Sequence, residues 1–168
     1  MTPSGRLVMV MVGTDHHPFD RLVAWADAVA LRNPGLRVVV QHGATRAPRR
    51  AEGHAFLPIE EIRRLLDDAD AVVCHGGPGT IMDARAAGHV PLCVPRDPAL
   101  GEHVDGHQQR FAPLVAEAGL VHHVLDEGQL HALLAGALAV PVQRRTLPTS
   151  EATLRARERL AAELDALA

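Results

Sequence analysis

Two kinds of hydrophobic pattern alternate along the chain. Unbroken apolar runs, rich in β-branched residues, occur at Leu7–Val12, Arg37–Gln41, Ala71–Cys74 and Pro91–Val94. A strand with one wet face alternates apolar and polar positions, so an unbroken run predicts a parallel strand covered on both sides. Between the runs, apolar residues recur with helical spacing. Phe19, Leu22, Val23, Ala26, Val29 and Ala30 form one stripe, stopped by Asn33-Pro34-Gly35. Ile59, Ile62, Leu65 and Leu66 form a second, and Phe111, Leu114, Val115 and Ala118 a third, closed by Gly119. Near the C-terminus, Thr149 or Ser150 is positioned to cap a helix over 149–168 whose Leu160, Leu164 and Leu167 share a face.

Strands that alternate with helices predict an α/β fold with a doubly wound, mostly parallel, Rossmann-like sheet. In such sheets ligands bind beyond the carboxyl ends of the strands. Four loops therefore matter: Gly13–Pro18, Gly43–Gly53, His75–Thr80 and Pro95–His107. The Arg/Pro-rich part of the second, Thr45–Arg50, reads as mobile. At 168 residues the chain is expected to form one domain.

Composition narrows the functional classes. Aromatics are only 2% of the chain and the net charge is −3, which leaves little to stack bases or to hold a phosphate backbone. Nucleic acid is thus not an expected partner. Cys74 and Cys93 each lie inside an apolar run and read as reduced core residues of a cytoplasmic protein. The run Leu7–Gly13 is too short to span a bilayer, so no membrane anchor is expected within the chain.

The stretch Cys74–Ala84, CHGGPGTIMDA, joins an apolar run to a helical one. Without a following lysine it is no Walker A loop, and it is not G-x-G-x-x-G, which counts against a dinucleotide oxidoreductase. Gly76, Gly77 and Gly79 allow a ligand close to the backbone, and Pro78 suits the first helical position. The amides of Gly79, Thr80 and Ile81 are expected to face outward, where the helix dipole favours an anion, with the Thr80 hydroxyl as a further donor. Asp83, one turn on, would repel a bare phosphate but could accept from both hydroxyls of a ribose. A tight turn with a solvated aspartate is the competing reading.

A second informative segment is Pro95–Phe111, PRDPALGEHVDGHQQRF. Asp105 and Gln108 have the spacing of a capping box, and His107 and Gln108 would project from the first helical turn toward the same crevice. Their hydrogen-bonding side chains suit sugar hydroxyls, and capping alone is the alternative. His103 and His107 stand four apart, but Gly106 and the expected cap at Asp105 argue against a shared helix face, so no metal site is expected. Asp68-Ala69-Asp70 spells D-x-D but precedes a strand, at the wrong end of the sheet for a ligand.

Three segments, VMVGTDHHPFDRL from Val8, FLPIEEIRRLLDDADAVVCHGGPGTIMDARAAG from Phe56 and VPRDPALGEHVDGHQQRF from Val94, carry a resemblance. Together they resemble the donor-binding, C-terminal half of GT-B glycosyltransferases of family 28. They are most similar to the stand-alone subunits of split UDP-sugar transferases that act on dolichol-linked oligosaccharides or bacterial exopolysaccharides.

The resemblance implies that His75, Gly76, Gly77, Gly79 and Thr80 hold the UDP diphosphate and that Asp83 reaches the ribose where the family usually has Glu. It further implies that Phe56 and Leu57 line the uracil pocket, that Gly13 and Thr14 lie near the phosphates, and that His107 and Gln108 read the donor sugar. UDP-sugar would be a co-substrate, and no metal or other cofactor is implied.

A membrane-associated partner subunit would bind the acceptor and recruit this chain to the inner face of the membrane, with self-association of the isolated subunit left open. The leaving diphosphate would be stabilised at Gly79 and Thr80 with help from Arg96. His16 or His17 would act as base unless the partner supplies one. The reaction expected is hexosyl transfer, of N-acetylglucosamine, glucose or glucuronic acid, to a lipid- or polymer-linked acceptor. A non-catalytic nucleotide-sugar sensor or accessory module is the alternative.

Overall fold

The computed structural model describes residues 5–140 together with Arg159 and Ala162. The helix expected over 149–168, with its capping Thr149 or Ser150 and its leucine face, lies outside the described residues apart from those two positions. In chain order the elements are β1 (Leu7–Met11), α1 (Asp20–Arg32), β2 (Arg37–Gln41), β3 (Glu52–His54), α2 (Ile59–Asp68) and β4 (Ala71–His75). They continue with α3 (Pro78–Ala86), β5 (Leu92–Val94), a 3-10 turn (Pro98–Leu100), α4 (His107–Glu117), β6 (His122–His123) and α5 (Glu127–Ala139).

The six strands form one sheet in the order β3-β2-β1-β4-β5-β6, and every neighbouring pair is parallel. This is the doubly wound, Rossmann-like α/β arrangement. From β1 the chain winds outward to β3, then returns beside β1 with β4 and winds outward the other way. The crevice between the carboxyl ends of β1 and β4 is therefore the topological switch point, where such sheets bind ligands.

The unbroken runs are explained by two separate cores. Met9, Met11, Val72, Cys74 and Cys93 point to one face and pack with Leu65 and Leu66 of α2, Ile81 and Ala84 of α3, and Phe111 and Val115 of α4. Val8, Val10, Val38, Val40, Val73 and Val94 point to the other, against Phe19, Leu22, Val23, Ala26 and Val29 and against Leu130 and Leu134 of α5. Alternate residues of one strand thus enter opposite cores, so both parities must be apolar. Cys74 and Cys93 are buried, free thiols paired across β4 and β5. The contact with Cys93, together with burial, pushes the Cys74 thiol well above its ordinary range.

Two elements have no apolar run to announce them. β3 and β6 are edge strands of three and two residues, Glu-Gly-His and His-His, held by backbone ladder bonds rather than side-chain burial. α5 contains two glycines but opens with a local signal: Asp126 accepts from the Gln129 amide, and the Gln129 side chain accepts from the Leu125 amide.

The Thr45–Arg50 segment, expected to be mobile, is pinned at both ends. The Asp27 carboxylate, on α1, accepts from the amides of Arg49, Arg50 and Ala51, and these bonds hold it below the usual carboxylate range against the opposing effect of its burial. The buried Thr45 hydroxyl accepts from the Phe19 amide and so caps α1 from a distant loop. Asp70, the last residue of the D-x-D, likewise ties the sheet by accepting from the Leu7 amide at 2.7 Å.

Candidate functional site

The loop after β4 starts from His75. Gly77 precedes α3 in an extended conformation with no side-chain cap, and Pro78 occupies the first turn. The Ile81 amide, expected to face outward, instead bonds the Gly77 carbonyl at 3.1 Å and closes the first helical turn. The amides of Gly79 and Thr80 have no hydrogen-bond partner among the described residues. They remain the donors at the positive end of α3.

The His75 ring lies over this turn. Its Nδ1 is 3.1 Å from the Gly77 nitrogen and accepts from that amide, while Nε2 is 3.2 Å from the Thr80 hydroxyl oxygen. Burial first, then the nearby Arg96 charge, lowers the imidazole pKa to about 4, so the ring is neutral at neutral pH. An accepting Nδ1 in a neutral ring puts the proton on Nε2 by inference, and the Thr80 hydroxyl then accepts from it. The Thr80 proton is thereby left to point away from His75, toward the open end of the helix.

The glycines of the loop divide into two kinds. A Cβ at Gly77, or at Gly13 with its φ of 88°, would overlap the His75 ring. These two positions are glycine because the ring is sandwiched between the β1 and β4 loops. At Gly79 a Cβ would meet nothing within 4 Å, so only that side of the turn is open. Asp83 is exposed one turn farther along, with no side-chain partner among the described residues.

Arg96 and Gln108 turn inward. Arg96 is fully buried: Nη1 donates to the carbonyls of His17 and Glu102, Nη2 to that of Val12, and the guanidinium carbon lies 4.9 Å from the centre of the Phe19 ring. Its Nε is buried without a partner among the described residues. A guanidinium fixed to three backbone carbonyls holds the β1 and β5 loops together, which corrects the expectation that it reaches a leaving group.

Gln108 is 3% exposed, and its Oε1 accepts from the amides of Gly76 and Arg96, both at 3.1 Å. It joins the β4 loop to the β5 loop instead of closing a capping box or facing hydroxyls. Asp105 is likewise no N-cap. Gly106 takes that place, and Asp105 accepts from the His107 amide one position farther out.

A short pattern passed over in the sequence becomes visible here. Asp15-His16-His17 and Asp105-Gly106-His107 fold alike: each aspartate accepts from the amide two residues on and contacts Nδ1 of that histidine, at 2.6 Å and 2.5 Å. His103 lies between them, with Nε2 3.6 Å from Asp15 and Nδ1 3.9 Å from Asp105. His16 is exposed and its ring centre is 4.1 Å from that of His17. The signal that could have found Asp15 is the repeated D-x-H spacing. Glu102, which grips Arg21 through both oxygens and accepts from the Asp97 amide, carried no such signal.

Thr14 is exposed at the mouth of the β1 loop, and Phe56 and Leu57 follow β3 at the same end of the sheet. Phe56 is 64% exposed, and neither residue's backbone has a hydrogen-bond partner among the described residues. The structure therefore brings Gly13, Thr14, His16, His17, His75–Thr80, Asp83 and His107 to one rim, with Phe56 and Leu57 beyond β1 and β2, and takes Arg96 and Gln108 beneath it.

The family model described as the glycosyltransferase family 28 C-terminal domain matches residues 7–163. The UDP-N-acetylglucosamine–N-acetylmuramyl-(pentapeptide) pyrophosphoryl-undecaprenol N-acetylglucosamine transferase of Verminephrobacter eiseniae (strain EF01-2) is 32% identical over 136 residues. That match takes in 68% of this chain, which spans 37% of the relative's length.

Among solved structures, the calicheamicin glycosyltransferase CalG4 superposes with a TM-score of 0.60 at 22% identity, over 98% of this chain and 43% of its own. MurG of Acinetobacter baumannii does so with a TM-score of 0.53 at 19% identity, over 80% of this chain and 42% of its own. Both likenesses concern the fold. With a family match over residues 7–163, which take in every strand and helix of the described sheet, the chain belongs to glycosyltransferase family 28 and corresponds to its C-terminal domain.

Proposed function

We propose that the chain is the donor-binding half of a UDP-sugar-dependent glycosyltransferase that transfers a hexosyl group to a lipid- or polymer-linked acceptor. The observation that carries this reading is the open N-terminus of α3 at the switch point. There the free amides of Gly79 and Thr80, with the Thr80 hydroxyl proton, border a side of the turn where a Gly79 methyl group would meet no other described residue within 4 Å. A diphosphate fits that seat, and Asp83 is then free to accept from the ribose hydroxyls. The unpartnered backbone at Phe56 and Leu57 suits the edge of a uracil. Gly13 and His75 support the seat from below, and Arg96 and Gln108 position its loops without touching the donor.

Inverting transfer needs a base for the acceptor hydroxyl and stabilisation of the departing diphosphate. The second role falls to the α3 N-terminus. For the first, His17 is better supported than His16, because the Asp15 carboxylate at Nδ1 orients the ring and leaves Nε2 to take a proton. His107, held in the same way by Asp105, would face the donor sugar. Acceptor binding would come from a second, membrane-associated subunit that recruits this chain from the cytoplasm. No helix among the described residues is long and apolar enough to cross a membrane.

The test is a calorimetric panel of UDP-N-acetylglucosamine, UDP-glucose, UDP-glucuronic acid, a GDP-sugar and NAD. It is run on the wild type, Asp83→Ala and Thr80→Val, followed by transfer assays with a co-expressed acceptor-binding subunit. UDP-sugars are expected to bind, and both variants to bind them more weakly. Binding of NAD without UDP-sugars would overturn the reading. Tight UDP-sugar binding with no transfer in any pairing would favour a nucleotide-sugar accessory module.

A further inference from the structure

We propose that the segment His103–His107 binds one divalent transition-metal ion, of the zinc type, through His103, Asp105 and His107. The three potential ligands alternate along five residues, H-x-D-x-H, two in the irregular stretch after the 3-10 turn and the third at the first position of α4. One donor atom from each lies within 4.8 Å of the other two. His103 Nδ1 is 3.9 Å from Asp105 Oδ1, and His107 Nδ1 is 2.5 Å from the same oxygen. Around a tetrahedral zinc ion with bonds of about 2.0–2.2 Å, donor atoms stand roughly 3.3–3.5 Å apart. The two measured separations lie on either side of that value. Binding would need only side-chain rotations that lengthen one separation and shorten the other.

A separate loop supplies the support that such a site needs. The ring of His103, only 13% exposed, presents Nδ1 to Asp105 while its Nε2 faces the Asp15 carboxylate at 3.6 Å. A carboxylate on the far nitrogen of a ligating histidine fixes the ring and raises its basicity. The ring is further held between those of His17, with centres 5.9 Å apart, and His107, with centres 4.6 Å apart. Asp105 Oδ1, the oxygen that faces both rings, also accepts from the His107 amide, which fixes the carboxylate between them.

Two imidazoles and a carboxylate favour zinc, cobalt or nickel over magnesium or calcium, which prefer oxygen alone. On binding, the ion takes the place of the proton in the Asp105–His107 contact, and the neutral ring carries its single proton on Nε2 instead. The second cluster, Asp15-His16-His17, also gathers three donors. There the aspartate already supports both His17 and His103, so it serves here as an outer partner.

The experiment is a titration of the untagged full chain with Co²⁺, followed by visible absorbance and reversed by competing Zn²⁺, with stoichiometry from calorimetry. One ion per chain is expected, unaffected by excess Mg²⁺. His103→Ala and Asp105→Asn should abolish the spectrum, Asp15→Asn should weaken binding by roughly 10- to 100-fold, and His122→Ala and His131→Ala should bind as wild type. Asp105 is exposed, so Asp105→Asn reports on a folded chain even if His103→Ala does not fold. The proposal is overturned if neither ion binds, if Asp105→Asn binds normally, or if His16→Ala/His17→Ala loses the ion while His103→Ala keeps it. None of these readouts involves a sugar nucleotide, so failure here leaves the donor-site reading to its own test.

Discussion

The loops after β4 and β5 lie side by side and meet through Gln108, yet they are shaped by opposite means. The β4 loop, His75–Thr80, is defined by missing side chains: Gly77 makes room for its own histidine, and Gly79 faces open space. The β5 loop and the start of α4 are defined by long polar side chains that turn inward, with Arg96 on three carbonyls and Gln108 on two amides. A backbone-built seat can leave its donors free for a ligand. A loop held by side chains uses its donors on itself. Polarity near a site therefore does not identify the residues that touch a ligand; exposure and unpaired donors do.

Arg96 carries the largest expected effect. Arg96→Met keeps much of the side-chain length but leaves the carbonyls of Val12, His17 and Glu102 without their donor. The expected cost is roughly 3–5 kcal/mol of folding stability, read by urea denaturation. Were Arg96 a ligand contact rather than the bond between two loops, the same variant would unfold like wild type and lose only donor binding.

His75 gives the next effect, through pH. Its folded pKa of about 4 lies below the ordinary imidazole value, so the folded chain disfavours the imidazolium. The associated stability is fully present above about pH 6.5 and is lost as pH falls toward 4, to a total of about 3 kcal/mol. Measured from pH 7 to 4.5, wild type should lose more stability than His75→Asn. Matching slopes would mean that His75 is not the buried neutral group bridging Gly77 and Thr80. Asp15, Asp27 and Asp105, all held below the usual carboxylate range, lose their contribution at lower pH in both proteins, so the comparison isolates the ring.

The same contrast explains what was legible in the sequence. The four central strands and three helical stripes could be read because burial on two faces leaves a one-dimensional trace, as Met9 and Val10 in opposite cores illustrate. The His75–Thr80 seat could be read because glycine, proline and threonine before a helix have a local backbone meaning. Arg96 and Gln108 were assigned outward because their partners, at Val12, His17 and Gly76, are far along the chain, and side-chain direction depends on that tertiary environment. β3 and β6 left no trace because an edge strand needs only a neighbour's backbone. Thr45 and Asp27 show the same limit, since a polar loop becomes a pinned one only when a distant helix offers it a carboxylate.

The smallest effect on stability is the most telling one about function. Gly79→Ala places a methyl group in the first turn of α3 where, beyond the helix's own backbone and the adjoining residues, no described residue lies within 4 Å. Alanine is a better helix former than glycine, so folding stability should stay level or rise by up to about 1 kcal/mol. If a diphosphate rests against this turn, the same methyl group intrudes on it, and UDP affinity should fall by roughly tenfold, about 1.4 kcal/mol. Gly77→Ala should lose stability and affinity together, because its methyl group collides with His75. A Gly79→Ala chain that is stable and still binds UDP like wild type would reduce the loop to a strand-to-helix turn. A stable chain with weakened UDP binding would separate the one glycine kept for a ligand from those kept for the protein's own packing.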